Sequence, residues 1–370
     1  MVNEKLKFDF DDLLIQPITS SRISSRKEVS VFDDNHMLPL FTAPMDTVID
    51  VDNVKFFQEN KIYSIVPRTY DRPPENGQWK AIGLKEFEHF YVENDVCDLF
   101  YVDPEKARQT MNHKVLIDIA NGHMEKLVVL IVKAKNKYGD KLKIMVGNIA
   151  NSETFFLLSN AGADYIRVGI GNGGGCLTSQ QVGVGYPLAS LIYEIYQMKV
   201  ERQSKTEKVL RFSKIVADGG MKNYSDIIKA LALGADYVMV GSIFNRSLES
   251  AGETYGQNIH HETWLEPGEK VDQYSEGVRN AFKNGAKFFK KFRGMSTKGV
   301  QKLLGNENLK TSEGVTRMNP VEYTIEGWTD NFKQYLASAM SYTGTSNLYE
   351  YIGQVNLNLI TQSSFNRFNK

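Results

Sequence analysis

Short apolar runs bounded by turn residues recur along the chain, separated by segments whose apolar positions follow helical spacing. Eight such runs occur: Leu40–Ala43, Ile62–Val66, Cys97–Val102, Val115–Ile119, Lys143–Val146, Tyr165–Val168, Ile215–Ala217 and Tyr237–Val240. Most are continuous Val, Ile, Leu or aromatic stretches without polar alternation, which suits parallel strands buried on both faces. The intervening pattern predicts helices over Val51–Asn60, Glu86–Glu93, Pro104–Asn112, His123–Tyr138, Ser152–Ala161, Pro187–Val200 and Tyr224–Leu233. Two helix–strand joints repeat one another, Ser159–Asn160–Ala161–Gly162–Ala163–Asp164–Tyr165 and Leu231–Ala232–Leu233–Gly234–Ala235–Asp236–Tyr237. Each puts Gly where a helix end favours positive φ. This alternation, with no long linker, predicts an α/β protein: a closed (β/α)8 TIM barrel forming one domain over residues 1–370.

A chain of 370 residues would allow two or three domains, yet a bare barrel needs about 250. The surplus falls in an N-terminal arm, Met1–Pro39, a glycine-rich loop, Gly169–Tyr186, and a finger-and-flap insertion over Gly256–Thr345. The balance of 44 basic against 44 acidic residues removes the electrostatic case for nucleic acid or an acidic membrane as partner. Two cysteines cannot build a disulfide framework or a four-thiolate zinc site, and they suit a reducing, cytoplasmic setting. No run approaches the roughly 18 apolar residues of a membrane span, and Met1–Asp12 is charged where a signal peptide would be apolar.

In TIM barrels the chemistry sits at the C-terminal ends of the strands, with phosphate often bound after strands 7 and 8. The residues that follow the strands here are Pro44–Met45–Asp46–Thr47, Asp118–Ile119–Ala120–Asn121–Gly122–His123, Gly147–Asn148, Gly169 to Thr178, Asp218–Gly219–Gly220 and Gly241–Ser242. Polar and glycine residues therefore collect at one end. Single glycine turns are ordinary loop chemistry. Two on consecutive strands, Gly219–Gly220 and Gly241–Ser242, let backbone amides approach an anion, with Asp218 placed to accept from ribose hydroxyls. Gly169–Ile170–Gly171–Asn172–Gly173–Gly174 has the spacing of a dinucleotide fingerprint, but no helix opens directly after it; the next helix start is Pro187. The glycines lead instead to Cys176, a loop thiol at the catalytic end, whereas Cys97 reads as core. Thr178 is either a turn hydroxyl or a group that orients a leaving group or water.

The chain resembles the IMP dehydrogenase/GMP reductase family in nine short stretches that run in the family's order. They are Phe10–Ile15, Ala43–Val48, Ile117–Gly122, Gly162–Cys176, Gly183–Pro187, Ala217–Gly220, Gly234–Ser242, Arg293–Ser296 and Ser312–Gly314. The resemblance implies that Cys176 attacks purine C2 of a nucleotide, GMP or IMP, to form a covalent intermediate. It implies substrate contacts from Asp218, Gly219, Gly220, Gly241, Ser242, Gly294, Met295, Ser296, Ser312 and Gly314. It implies dinucleotide contacts from Ser25, Arg26, Arg68, Asp118, Ile119, Ala120, Ile170, Gly171, Tyr342, Thr343 and Gly344, some reaching a neighbouring subunit of a homotetramer or larger assembly. It further implies that Gly171, Gly173 and Cys176 present carbonyls to a monovalent cation such as potassium.

Three features favour the reductase branch, which takes GMP and NADPH (or NADH) to IMP and ammonia. Only about 30 residues separate the second and third predicted strands, near an ordinary connection, so no CBS-type regulatory domain is inserted. Between Ser296 and Glu313 there is no Arg or Tyr, the pair with which the dehydrogenase activates water. The short Met295–Glu313 spacing and Gly185–Tyr186–Pro187 match the reductase, whose catalytic glutamate would be Glu313, acting with Thr178 on the departing ammonia. Two alternatives stay open: an IMP dehydrogenase without its insert, using NAD, and a non-catalytic nucleotide-binding barrel. The chain departs from the family at Leu177–Thr178–Ser179, where Thr–Thr–Arg is usual, and at Pro67–Arg68, where the reductase has His–Lys. The longer segment Gln257–Lys287, with His260–His261 and Trp264, reads as a surface finger rather than a metal site, since adjacent residues point apart and no third ligand follows.

Overall fold

The computed structural model describes residues 5–70, 77–94, 112–257, 267–305 and 311–368. Eight parallel strands stand side by side in the order Leu40–Thr42, Tyr237–Val240, Lys214–Asp218, Tyr165–Val168, Leu142–Ile149, His113–Asp118, Trp79–Ile82 and Ile65–Val66. The ring closes through a parallel bridge between Phe41 and Tyr63: Thr42 N donates to Tyr63 O at 2.9 Å and Tyr63 N to Leu40 O at 3.0 Å. The architecture is the expected (β/α)8 barrel.

The third barrel strand is Trp79–Ile82 and not the expected Cys97–Val102. Lys80 interrupts the apolar pattern there, yet its ammonium lies along the loop, donating to Pro67 O at 3.1 Å and to Tyr70 O. Cys97–Val102 and, but for its last residue, the helix expected over Pro104–Asn112 lie outside the described residues. With Trp79 pairing beside Ile65, residues 67–78 alone connect strands 2 and 3, which leaves even less chain for a regulatory insert. The other expected helices appear as Val54–Glu59, Leu84–Glu88 running into a π turn over His89–Glu93, Glu125–Tyr138, Ser152–Asn160, Leu188–Ser204 and Tyr224–Leu233. Asn151 and Asn223 cap two of them, accepting from Thr154 N and Asp226 N at 3.0 Å each. Both glycines of the repeated joint take positive φ, 103° at Gly162 and 115° at Gly234.

Two shells of core sit on either side of the barrel wall. Outside, the helices bury Leu, Ile and Val against the strands; inside, Phe41, Trp79, Tyr165, Tyr237 and Tyr63 pack ring on ring at the N-terminal end. Phe41 is the hub, with centroids 4.9 Å from Tyr63, 5.2 Å from Tyr237, 5.9 Å from Trp79 and 6.0 Å from Tyr165. The N-terminal arm supplies Asp33, whose Oδ2 accepts from Tyr63 OH at 2.7 Å and Tyr237 OH at 3.0 Å. The arm also pairs Leu13–Ile15 with Leu357–Leu359. Aromatic packing thus fills one end of the barrel and leaves the other for a site.

After strand 8 the chain forms a four-stranded antiparallel sheet in the order Pro267–Val271, Thr254–Gln257, Phe288–Arg293, Thr316–Pro320. The expected insertion over residues 256–345 runs too far at its C-terminal side. Ile325–Thr343 is a barrel helix that buries Trp328, Phe332, Leu336 and Met340, with Trp328 stacked 5.1 Å from Tyr224. His260, His261 and Trp264 lie outside the described residues. Inside the added sheet Lys290 is fully buried, donating to Ser250 O at 2.6 Å and Gly252 O at 3.2 Å.

Truncating the hub, Phe41→Ala, is expected to cost about 3–5 kcal/mol, measured by urea unfolding; a cost below about 1 kcal/mol would remove the aromatic plug from the account. Loss of water pushes Lys290 down to about 7, against the opposing pull of Glu249 and Asp50. An ordinary lysine in the unfolded chain stays protonated to about 10.4, so between those values the unfolded state binds more protons and stability rises with pH. Lys290→Met is expected to flatten that rise in melts taken from pH 7 to 10; an unchanged slope would contradict it.

Candidate active site

A cavity of about 270 Å³ opens at the C-terminal end of the strands. One water needs only about 10–15 Å³ by such a measure, so this is a ligand-sized space and not packing slack. Its walls come from strand ends 1, 2, 4, 5, 6, 7 and 8 together with the glycine loop, Phe292 and the residues after Arg293.

Backbone contact brings the reactive groups together. Gly175, Gly294 and Gly314 meet where side chains would collide: a Cβ on Gly294 would lie 2.5 Å from Gly175 O, one on Gly314 2.7 Å from Thr297 N, and one on Gly175 2.8 Å from the Phe292 ring. Main-chain bonds fill that space, from Leu177 N to Glu313 O at 2.7 Å, Val315 N to Gly175 O at 3.1 Å and Gly294 N to Val315 O at 2.9 Å. Cys176 and Gly314 form an antiparallel bridge. Cys176 is half-buried, and its Sγ donates to Thr178 Oγ1 at 3.2 Å, which in turn donates to Glu313 Oε2 at 2.5 Å. A thiol, a hydroxyl and a carboxylate therefore form one hydrogen-bonded series, with Cys176 and Thr178 at the cavity wall and Glu313 behind them.

Opposite the thiol lies a charged group of residues. Buried Arg167 donates through Nη1 to Asp118 Oδ1 at 3.0 Å and sets Nε 3.3 Å from Asp218 Oδ2. Asn148 accepts from Arg167 Nη2 and donates to Asp218 Oδ2 at 2.7 Å and Gly169 O at 2.8 Å. The four residues come from strand ends 4 to 7. All these contacts to Asp218 use one carboxylate oxygen, so the other can accept from a ligand. Arg167 and Asn148 were not among the expected site residues. A single cation inside the apolar run Tyr165–Val168 is the signal that could have marked Arg167, because a buried charge requires partners.

Of the other expected residues, Arg68, Ile119, Ala120, Ile170, Gly171, Gly173, Gly219, Gly220, Gly241, Ser242, Gly294, Met295 and Ser296 line the cavity. Arg68 faces Glu86 at 3.5 Å, and its buried Nε has no hydrogen-bond partner among the described residues. Ser312 and Gly314 stand with Glu313 behind the wall, Ser312 Oγ donating to Ser296 O at 3.3 Å. Ser25, Arg26, Tyr342, Thr343 and Gly344 do not line it. They form a separate patch where the arm crosses the end of helix Ile325–Thr343, with Ile18 N donating to Tyr342 O at 3.1 Å. The Thr343 hydroxyl is buried on Ala339 O at 3.0 Å. In the expected cation loop, Gly171 O accepts from Ser179 Oγ at 3.1 Å and Gly173 O from Cys176 N at 2.9 Å.

Residues 105–264 match a family model described as the IMP dehydrogenase / GMP reductase domain. The chain is 30% identical over 301 residues to a GMP reductase of Streptococcus suis, covering 77% of this chain and 82% of that protein. It is 28% identical over 379 residues to a GMP reductase of Oceanobacillus iheyensis, covering 97% of each chain. With a GMP reductase of Caenorhabditis elegans the identity is 26% over 380 residues, 98% of this chain and 94% of that one. Among the described residues no helix is long and apolar enough to cross a membrane.

Arg167→Met strands two carboxylates of low exposure, Asp118 at 15% and Asp218 at 19%. The expected loss is about 3 kcal/mol in urea unfolding at neutral pH, with Arg167→Lys recovering part of it. Equal stability of all three proteins would mean that the guanidinium does not hold the carboxylates.

Proposed function

Since the chain belongs to the IMP dehydrogenase/GMP reductase family, we propose that this purine nucleotide oxidoreductase works in the reductive direction, converting GMP and NADPH to IMP, ammonia and NADP+. The observation that carries this reading is the series Cys176, Thr178, Glu313, which links a nucleophile to a carboxylate through a hydroxyl. Reductive deamination needs such a series twice: once to remove the thiol proton, once to give a proton to the departing amine.

In the proposed sequence the Cys176 proton passes through Thr178 to Glu313 as sulfur attacks purine C2. Glu313 returns that proton through Thr178 to the exocyclic nitrogen, the C2–N bond breaks, and ammonia leaves a purine joined to Cys176 by a C2–S bond. Bound NADPH supplies the hydride. Once C2 has received it, the C–S bond breaks, sulfur keeps the electron pair, IMP is free to leave, and one proton from solvent restores the Cys176 thiol. Atoms and charge balance without an activated water. The absence of Arg and Tyr between Ser296 and Glu313 supports this direction over hydrolysis to XMP.

Asp218 would hold the ribose, and Gly219, Gly220, Gly241 and Ser242 the phosphate. Gly294, Met295 and Ser296, braced by Ser312 and Gly314, would hold the purine edge. For the dinucleotide, Ile119, Ala120, Ile170 and Gly171 offer a flat wall beside Asp118. The buried Nε of Arg68, without a partner among the described residues, fits a polar arm at the same wall. Ser25, Arg26, Tyr342, Thr343 and Gly344 meet the dinucleotide only if another copy brings them to the cavity, and this is our ground for a homotetramer or larger assembly. We place the enzyme in the cytoplasm, where Cys176 stays reduced.

Purified protein given GMP and NADPH is expected to oxidise one NADPH per ammonia released. Cys176→Ala should abolish turnover, and Thr178→Val or Glu313→Gln should lower kcat by about 10²–10⁴-fold. NADH formation from IMP and NAD, with no reductive reaction, would make the protein a compact dehydrogenase. An active Cys176→Ala enzyme would sink the covalent step.

A further inference from the structure

We infer that Arg317 grips the substrate's phosphate and sets the preference for a nucleoside monophosphate over the free nucleoside. Arg317 lies on strand Thr316–Pro320, paired in register with Phe292, and its guanidinium carbon sits 5.0 Å from the centroid of the Phe292 ring. Phe292 lines the cavity. From there the guanidinium reaches Gly174: a Cβ on Gly174 would lie 3.3 Å from Arg317 Nη2, 4.0 Å from Arg317 Nη1 and 4.0 Å from Ser242 Oγ. A fork of donors and a hydroxyl therefore flank one spot, and glycine keeps that spot clear of a side chain.

The other arginines around this end of the barrel face carboxylates, Arg68 among them at 3.5 Å from Glu86. Arg167 is held by Asp118 and Asp218, Arg293 by Asp46, and Arg246 by Glu322 at 2.8 Å. Among the described residues Arg317 has no carboxylate partner. Burial, and then the like charge of Arg246, hold its pKa below the ordinary guanidinium range, and no acidic group opposes them. An unpaired guanidinium beside two glycine turns is the complement of a phosphate monoester, which carries about −1.5 to −2 charge at neutral pH. Glycine amides and one serine hydroxyl supply donors there but no positive charge; Arg317 supplies it. The flap and finger sheet that carries the reactive Glu313 would thereby also sense the far end of the substrate.

The inference rests on the proposed nucleotide chemistry, and the test separates the two. Wild type, Arg317→Met and Arg317→Lys are each titrated calorimetrically with GMP, IMP and guanosine, alongside KM and kcat for GMP. Arg317→Met should weaken GMP and IMP by about 10–100-fold, mostly in KM, with kcat within about threefold and guanosine binding unchanged. Arg317→Lys should recover part of the loss, because it keeps the charge and loses the fork. Wild-type affinity for GMP and IMP in Arg317→Met would overturn the role of Arg317 and leave the proposed function standing. Equal losses for GMP and guanosine would make Arg317 a prop for Phe292 and overturn it too. A wild-type protein that binds no purine nucleotide would overturn the proposed function and this inference with it.

Discussion

Main-chain pairing between the cysteine loop and the segment Glu313–Val315 is the contact on which the site depends. Side chains alone would not hold Glu313 beside Thr178, because 135 residues of chain separate them. The two backbones come close enough to exchange hydrogen bonds only because Gly175, Gly294 and Gly314 offer no Cβ at the crossing. The glycines are thus a packing requirement that sets a chemical distance. Each replacement would push the carboxylate away from the hydroxyl before it touched a catalytic atom.

That arrangement needs a stiff platform, and the barrel provides one by being asymmetric along its axis. Aromatic rings and Asp33 fill its N-terminal end, so the strands are fixed relative to one another before their C-terminal ends diverge into loops. At those ends Arg167 sits between two carboxylates and ties strands 4, 6 and 7 together through charge, with Asn148 adding strand 5. A cation shared in this way leaves one oxygen of Asp218 turned to the cavity. The lower half of the barrel is held by burial, and the upper half by hydrogen bonds and charge, which are strong where water is scarce.

Much of this was readable in the residues. Continuous apolar runs and the repeated Gly–Ala–Asp joint spelled out a parallel barrel, and glycine, cysteine and aspartate at strand ends marked one face. Trp79–Ile82 was missed because Lys80 breaks its apolar run, although the long stem lets the ammonium escape along the wall. Arg167 was hidden for the opposite reason: it lies within an apolar run, and only the fold supplies the acids that make it tolerable. The helix Ile325–Thr343 was absorbed into the insertion although Pro320 and the capping Thr324 mark its approach, because Gly327 in its first turn weakens the helical pattern there. Pairing of Cys176 with Gly314 and of Phe292 with Arg317 is long-range and leaves no local trace.

The central claim is that Thr178 and Glu313 carry the Cys176 proton on to the departing ammonia. The most direct test follows the half-reaction from IMP and NADP+, which forms the Cys176–purine bond and NADPH without touching ammonia, in wild type and Glu313→Gln under single-turnover conditions. The account gives a smaller loss of NADPH formation in Glu313→Gln, where only the thiol proton has to move, than of GMP reduction, which falls by about 10²–10⁴-fold. Equal loss of both reactions would contradict it, because Glu313 would then serve only the cysteine or the fold and not the leaving group.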